Sequence, residues 1–271
     1  MIKMLAIDLD GTLLRNDKTI SNKTVETLQK AEKQGIKIVL ASGRPIWGIC
    51  PYVERLNLEL PISIVASNGC ATYTSRDWSI ANGHFLTETQ VNKLLTLSEE
   101  HPRVALVLQM PSRRYVYEHE VSDVVARDAK THFQEVTMIS AEALAQLDEP
   151  ILLGLFMGEA DKLDQVQTEI EPLLTPDFHT VRGLDYCFEA MPHGVSKAKV
   201  LADLAKDCGI LPEEVMAFGD AVNDLEMFAW AGMAVAMANA SAKVQSQADL
   251  VTLSNEQDGV ADAVQRFVLK E

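Results

Sequence analysis

The residues best suited to chemistry in this 271-residue chain are aspartates placed just after apolar runs. Asp8 and Asp10 follow Met4–Ile7 in the stretch KMLAIDLDGTLL, and Gly11 and Thr12 come next. Asp220, Asn223 and Asp224 follow Val215–Phe218 in the stretch VMAFGDAVND. Two carboxylates one residue apart project to the same side of an extended backbone. Two anions that close are costly unless a cation lies between them or one is protonated. In the second stretch, one turn of helix would face Asp220, Asn223 and Asp224 the same way. Three oxygen side chains in five residues at a strand end make a site for a hard cation such as Mg²⁺. On the first pair alone, an ordinary strand ending in a solvated turn remains an alternative.

Two further positions have anion-binding chemistry. Ser42 and Gly43 end the apolar run Ile36–Leu40 in the stretch ASGRP. A small hydroxyl and a glycine ahead of a helix started by Pro45 can donate to phosphate oxygens, or the serine can act only as a helix cap. Lys197 follows Ser196 in HGVSK, at the first turn of a predicted helix, where the helix dipole disfavours a cation. A lysine there either faces an anion or lies solvated at the surface. Asn68, in the SNG that ends Ile62–Ala66, is placed either to face a ligand or to form a hairpin turn. His193 is read either as a rim residue or as a surface-loop histidine.

These groups need strands to carry them. Ser21 can cap a helix to about Gln34, with Val25, Leu28 and Ala31 on its apolar face and Gly35 as its stop. With the strands at Met4–Ile7 and Ile36–Leu40, this makes a right-handed βαβ unit with nearly continuous apolar strands, as in a covered parallel sheet. Ligands of such sheets bind at the carboxyl edge of the strands. From about Gly83 the texture changes. Helices are expected at Thr87–Glu100, Val121–Lys130, Ala141–Gln146 and Asp161–Leu174. Strands are expected at Val104–Met110, Arg114–Glu118, Ile151–Met157, Phe178–Val181 and Tyr186–Ala190. None of these strands ends in a catalytic-looking cluster, and their antiparallel-looking pairs point to an α+β module inserted into the core. The core resumes at Met191, with a helix from Ser196 to Cys208, the strand Val215–Phe218 and a last amphipathic helix opened by Gly259. The expected organisation is a discontinuous core, residues 1–82 and 191–271, around an insert at 83–190.

Composition narrows the partners. With 47% hydrophobic and 23% charged residues, the chain reads as globular. The 24 basic against 39 acidic residues give a net charge of −15, which argues against nucleic acid and anionic membrane surfaces as partners. An anionic substrate remains compatible if a metal and a local lysine reverse the sign inside the site. No apolar run is long enough for a membrane span, and no signal-peptide layout opens the chain. Cys50, Cys70, Cys187 and Cys208 have neither CxxC nor zinc spacing. They read as free thiols, and the expected location is the cytoplasm.

DLDGTL after an apolar strand, Ser42 after the second strand, GVSK at a helix start and GDAVND after a late strand occur in the order of the four motifs of the haloacid dehalogenase (HAD) phosphohydrolases. ASGRP, with LEM, AG and VAMANA after the last motif, resembles that superfamily's Cof-like branch. The branch often has glycine after the motif lysine, where this chain has Ala198, a better helix former. The resemblance implies a Rossmann-like α/β core with an inserted α+β cap. It implies that Asp8 is the nucleophile and Asp10 the general acid and base. Mg²⁺ would be held by Asp8, the Asp10 backbone carbonyl and Asp220, with Asp224 in support. Lys197 and Ser42 would bind the phosphoryl oxygens, helped by backbone N–H groups of Leu9, Gly11 and Gly43, and Asn223 would contact the phosphate or the metal's water.

The function so implied is Mg²⁺-dependent hydrolysis of small phosphorylated metabolites, sugar phosphates foremost, through an aspartyl-phosphate. A phosphosugar mutase and a non-catalytic phosphosugar-binding regulator are the alternatives. The retained Asp8, Asp10, Lys197 and Asp220 weigh against the regulator, which has no need of a nucleophile. The substrate, the pathway and the oligomeric state are not legible at this level.

Overall fold

A computed structural model describes residues 1–270. In chain order the first elements are β1 (Met4–Ile7), α1 (Asn22–Lys33), β2 (Lys37–Ala41), α2 (Cys50–Leu56), β3 (Ser63–Ala66), β4 (Ala71–Thr74) and β5 (Ile80–Gly83). Next come α3 (Glu88–Glu100), β6 (Ala105–Gln109), β7 (Arg114–Tyr117), α4 (Asp123–Thr131), β8 (Thr137–Ile139), α5 (Ala141–Leu144), β9 (Leu153–Met157), α6 (Ala160–Leu174), β10 (Phe178–Leu184) and β11 (Cys187–Pro192). The chain closes with α7 (Lys197–Asp207), β12 (Val215–Gly219), α8 (Leu225–Trp230), β13 (Met233–Ala236), α9 (Ala242–Gln245), β14 (Leu250–Val251) and α10 (Gly259–Val264).

Two compact units result. The first comprises Met1–Gly43, Ile49–Asn82 and Ser196 onward; the second comprises Gly83–Val195 together with Arg44–Gly48. The first unit is built on a sheet of order β14-β13-β12-β1-β2-β3-β4-β5. Pairing is parallel from β14 through β3, and β4 turns back antiparallel on β3. The chain leaves β1 towards β2 and β3 on one side, then returns to its other side at β12. The carboxyl ends of β12, β1, β2 and β3 therefore lie side by side at a topological switch point, the usual ligand edge of an open α/β sheet.

Local sequence explains the elements that carry this edge. Met4–Ile7 is wholly buried, as a strand covered on both faces must be. Met4, Ala6, Val39, Ala41, Val65, Val215 and Ala217 share an apolar cluster with Val200, Leu201 and Ala205 of α7 and with Met227 and Phe228 of α8. Ser21 caps α1 by accepting from the Thr24 N–H at 3.0 Å, and Ser196 caps α7 by accepting from the Lys199 N–H.

The second unit has the sheet order β10-β11-β9-β6-β7-β8, antiparallel except for the β7–β8 pair. Leu94 and Leu97 of α3 and Leu163, Val166 and Ile170 of α6 pack with Leu106, Leu108, Phe156 and Phe188 of that sheet. A buried polar group sits among these elements: Arg114 donates to Asp128 at 2.7 Å and to Gln109 at 2.8 Å, and the Tyr186 hydroxyl donates to Asp128 at 3.0 Å. Arg44 donates to the carbonyls of Thr131 at 3.0 Å and Gly48 at 3.2 Å.

Most expected elements appear within a residue or three. Pro45 is the main exception. It opens only a single 3₁₀ turn, Ile46–Gly48, and α2 begins at Cys50. β8 and β14, of three and two residues, are too short to leave a periodic signal in sequence, and β5 and β13 lie outside the expected strands.

Candidate active site

Asp8 directly follows β1 and extends its pairing, its N–H donating to the Phe218 carbonyl at 3.1 Å. Its side chain is buried. Lys197, in the first turn of α7, is 1% exposed, which rules out a solvated surface lysine. Its Nζ donates to Asp8 Oδ1 at 2.6 Å and to Asp224 Oδ1 at 2.8 Å. Burial alone would push this ammonium down, but the charges of Asp224 and Asp8 hold it above the ordinary lysine value. Burial pushes Asp8 well above the usual carboxylate range; Lys197 opposes the shift and the charges of Asp224 and Asp220 add to it. Burial, and then the charge of Asp224, raises Asp220 to about 6.

Carboxylate oxygens of Asp8, Asp220 and Asp224 lie within 4.8 Å of one another. One ammonium faces three carboxylates in this cluster, and burial, with the neighbouring carboxylates, raises Asp8 and Asp220. An all-oxygen cluster with uncompensated negative charge fits a hard divalent cation. The three members are not equivalent. Asp224 is fully buried, and its second oxygen, Oδ2, accepts from the N–H groups of Asp220 at 3.0 Å and Ala221 at 3.1 Å. Both its oxygens are thus committed to shaping the loop and holding Lys197, which leaves Asp8 and Asp220 as the better donors.

One expectation about direction fails here in part. Asp220 and Asp224 converge on Asp8, but Asn223 does not join them. The backbone passes through a 3₁₀ turn at Val222–Asp224 instead of a regular helix. Asp220 accepts from Thr12 Oγ1 at 3.0 Å, Asn223 donates to Asn68 Oδ1 at 3.0 Å, and Asp224 turns inward. Past Asp8 the chain turns, the Thr12 and Leu14 N–H groups donating to the Leu9 carbonyl. The Asp10 side chain lies partly exposed, and Lys18 Nζ donates to its Oδ1 at 2.7 Å.

The turn itself needs Gly11. Its φ is +76°, and a Cβ there would stand 2.3 Å from Asp220 Oδ2. Distant asparagines brace it: Asn239 donates to the Gly11 carbonyl at 2.8 Å, and Asn255 donates to the Leu14 carbonyl at 2.9 Å. Neither brace was identified from sequence, although Asn239 lies in a stretch that shares the family pattern. Thr12 lies inside the DLDGTL motif without an expected role, and Lys18 carries no signal.

Ser42 is buried at the end of β2, and Gly43 follows. The Ser42 N–H donates to the Val65 carbonyl at 2.8 Å, and its carbonyl accepts from the Asn68 N–H at 2.9 Å. Leu9, between Asp8 and Asp10, is fully buried. Asn68 does form the hairpin turn between β3 and β4, yet its side chain also meets Asn223. His193 is exposed in the second unit. The four cysteines are free. Burial pushes the Cys187 thiol well up and the Cys50 thiol to about 11, so neither is an activated thiolate.

Residues 5–264 match the family described as haloacid dehalogenase-like hydrolase. YxeH of Bacillus subtilis (strain 168), which carries a phosphatase name, is 32% identical over 99% of both chains. The 5-amino-6-(5-phospho-D-ribitylamino)uracil phosphatase YitU of the same organism is 28% identical over 97% of both. Among solved structures, a haloacid dehalogenase-like hydrolase from Bacteroides thetaiotaomicron superposes with a TM-score of 0.87 at 32% identity, covering 98% of this chain and 99% of its own. No helix among the described residues is long and apolar enough to cross a membrane.

Proposed function

Since the chain belongs to the haloacid dehalogenase-like hydrolases and has phosphatases as full-length relatives, we propose that it hydrolyses small phosphorylated metabolites, sugar phosphates foremost, through an aspartyl-phosphate on Asp8. The observation that carries this reading is the buried Lys197 ammonium. It is shared between Asp8 and Asp224, with Asp220 alongside. A structural ion pair has no need of a third carboxylate, whereas a phosphoryl site needs both a nucleophile and compensating positive charge.

In this reading Asp8 Oδ attacks phosphorus and the bond to the leaving oxygen breaks. Asp10 gives its proton to that oxygen, then takes one from the water that attacks the aspartyl-phosphate, releasing inorganic phosphate and free Asp8. Lys197 holds the Asp8 carboxylate in line and, with the Ser42 hydroxyl and the N–H groups of Leu9, Gly11 and Gly43, takes the phosphoryl oxygens. Asn223 contributes its amide to the same pocket. Asp8, Asp220 and the Asp10 carbonyl are the groups that would hold Mg²⁺, and Asp224 would support them. When bound, Mg²⁺ would supply the charge that lets an anionic nucleophile approach a phosphate dianion.

The substrate class draws on YitU, whose named substrate is a phosphorylated polyol. The residues described above handle only the phosphoryl group, so choice among leaving groups falls to the inserted unit. The decisive experiment is Asp8→Asn, which keeps shape and removes the attacking charge. Turnover should fall by several orders of magnitude while a phosphate analogue still binds. Retention of more than about a tenth of wild-type turnover would rule out covalent catalysis by Asp8.

A further inference from the structure

The Ser67–Asn68–Gly69 turn at the end of β3 has three consecutive residues at positive φ: +53° at Ser67, +53° at Asn68 and +104° at Gly69. Ser67 and Asn68 are buried. Asparagine tolerates the left-handed region and glycine occupies it freely, but serine is strained there. A hairpin needs no such run, and strain of this kind persists where the surroundings over-determine the backbone.

The turn's neighbours show what it is held for. Towards the β2 end, the Asn68 N–H donates to the Ser42 carbonyl at 2.9 Å, and a Cβ on Gly43 would stand 3.1 Å from Asn68 Nδ2. Towards the β12 end, Asn68 Oδ1 accepts from Asn223 Nδ2 at 3.0 Å. Towards α7, a Cβ on Gly69 would stand 2.7 Å from the Ser196 carbonyl oxygen and 3.3 Å from the Lys197 nitrogen. One buried turn thus touches the loop after β2, the loop after β12 and the start of the helix that carries Lys197. These are three of the segments expected to bind the phosphoryl group.

We propose that Asn68 is a positioning residue for phosphoryl transfer. Its amide fixes the orientation of the Asn223 side chain and sets the distance between Asn223 and Ser42–Gly43, while Gly69 permits the close approach of α7. This rests on reading Ser42, Lys197 and Asn223 as phosphoryl-site residues. By accepting one Asn223 Nδ2 hydrogen, Asn68 orients that amide before substrate arrives, the kind of supporting contact that keeps a site within reaction distance. Its effect passes through Asn223 and the Ser42 backbone, the two groups it contacts on either side.

The test is Asn68→Gly, which keeps the left-handed backbone available and deletes only the amide. Expected are a loss of at least tenfold in kcat/KM for several phosphate monoesters, alike for all leaving groups, and weaker competitive inhibition by orthophosphate. The melting temperature should stay close to wild type. The effect should also be non-additive with Asn223→Ala: the double variant should be little worse than the worse single one. If the glycine variant does not fold, Asn68→Ser, whose strain at φ +53° should lower the melting temperature, gives the same comparison when assayed below its own transition. A folded Asn68 variant with wild-type kcat/KM, or losses from Asn68 and Asn223 that simply multiply, would overturn the positioning role. Lys197→Ala in the same assay separates the two levels. If it is fully active, the phosphoryl site is misassigned and the inference falls with it. If it is inactive beside a fully active Asn68→Gly, only the role of Asn68 is lost.

Discussion

Asp220→Asn should stabilise the metal-free protein while abolishing its activity. Burial and the neighbouring Asp224 charge raise the Asp220 carboxyl from an ordinary 3.8 to about 6. A carboxyl raised in the folded state contributes stability that is present below its ordinary value and lost as pH rises through about 6. At pH 8 the shift of about two units corresponds to about 3 kcal/mol of strain in the folded protein, at about 1.4 kcal/mol per unit. Partial solvent access and relaxation bring the expected gain to about 1–3 kcal/mol. The asparagine removes the charge yet keeps an acceptor for Thr12 Oγ1, now 3.0 Å away, so the turn at Gly11 is not disturbed. The assay is urea unfolding in excess chelator, followed by circular dichroism, at pH 8 and pH 5. The variant should be the more stable at pH 8, and the gap should shrink to about half at pH 5, where much of the wild-type Asp220 is protonated. Added Mg²⁺ should reverse the order by binding the folded wild type. A variant that is equal to or weaker than wild type at pH 8 in chelator would refute the claim that repulsion within the Asp8, Asp220 and Asp224 cluster is unrelieved without a cation.

Asp224→Asn should act in the opposite sense. Whichever way the new amide turns, its NH₂ meets either Lys197 or the paired N–H groups of Asp220 and Ala221, so urea unfolding should show a loss of about 2–4 kcal/mol. Chelation should abolish phosphate release, and Mg²⁺ should restore it better than Ca²⁺, whose longer and more numerous bonds spoil in-line geometry; full activity in excess chelator would contradict the metal assignment. Replacing the insert from about residue 83 to 190 with a short Gly/Ser bridge should leave slow hydrolysis of an aryl phosphate and erase preference among sugar phosphates, read as kcat/KM across several substrates once the shortened form is shown to be folded. An unchanged rank order would mean that the first unit itself reads the leaving group.

Much of this protein was legible along the chain. Met4–Ile7, Lys37–Ala41 and Val215–Gly219 are strands buried on both faces, and such strands leave continuous apolar runs. The residues that follow them stand at one sheet edge in any parallel arrangement, so Asp8, Ser42 and Asp220 could be grouped from their positions after strands. The helix start leaves Lys197 between an anion partner and solvent; the GVSK resemblance singles it out, and its burial shows that it meets anions. The structure brings Asp224 within 4.8 Å of Asp8 and Asp220, while Asn223 turns to Asn68. Spacings of three and four from Asp220 imply one shared face only in a regular helix, and the backbone there is a 3₁₀ turn that sends Asn223 to Asn68.

Tertiary structure alone decided which polar groups meet. Asn68 and Asn223 are 155 positions apart, Gly11 and Asn239 are 228 apart, and Leu14 and Asn255 are 241 apart. No local period links such pairs. They meet because β12 returns beside β1 in register, Phe218 opposite Ile7, which brings loops from both ends of the chain to one edge. Residue type and spacing determine which groups can do chemistry and which strands carry them. The orientation of each group follows from hydrogen bonds between loops, and those exist only after the strands have paired.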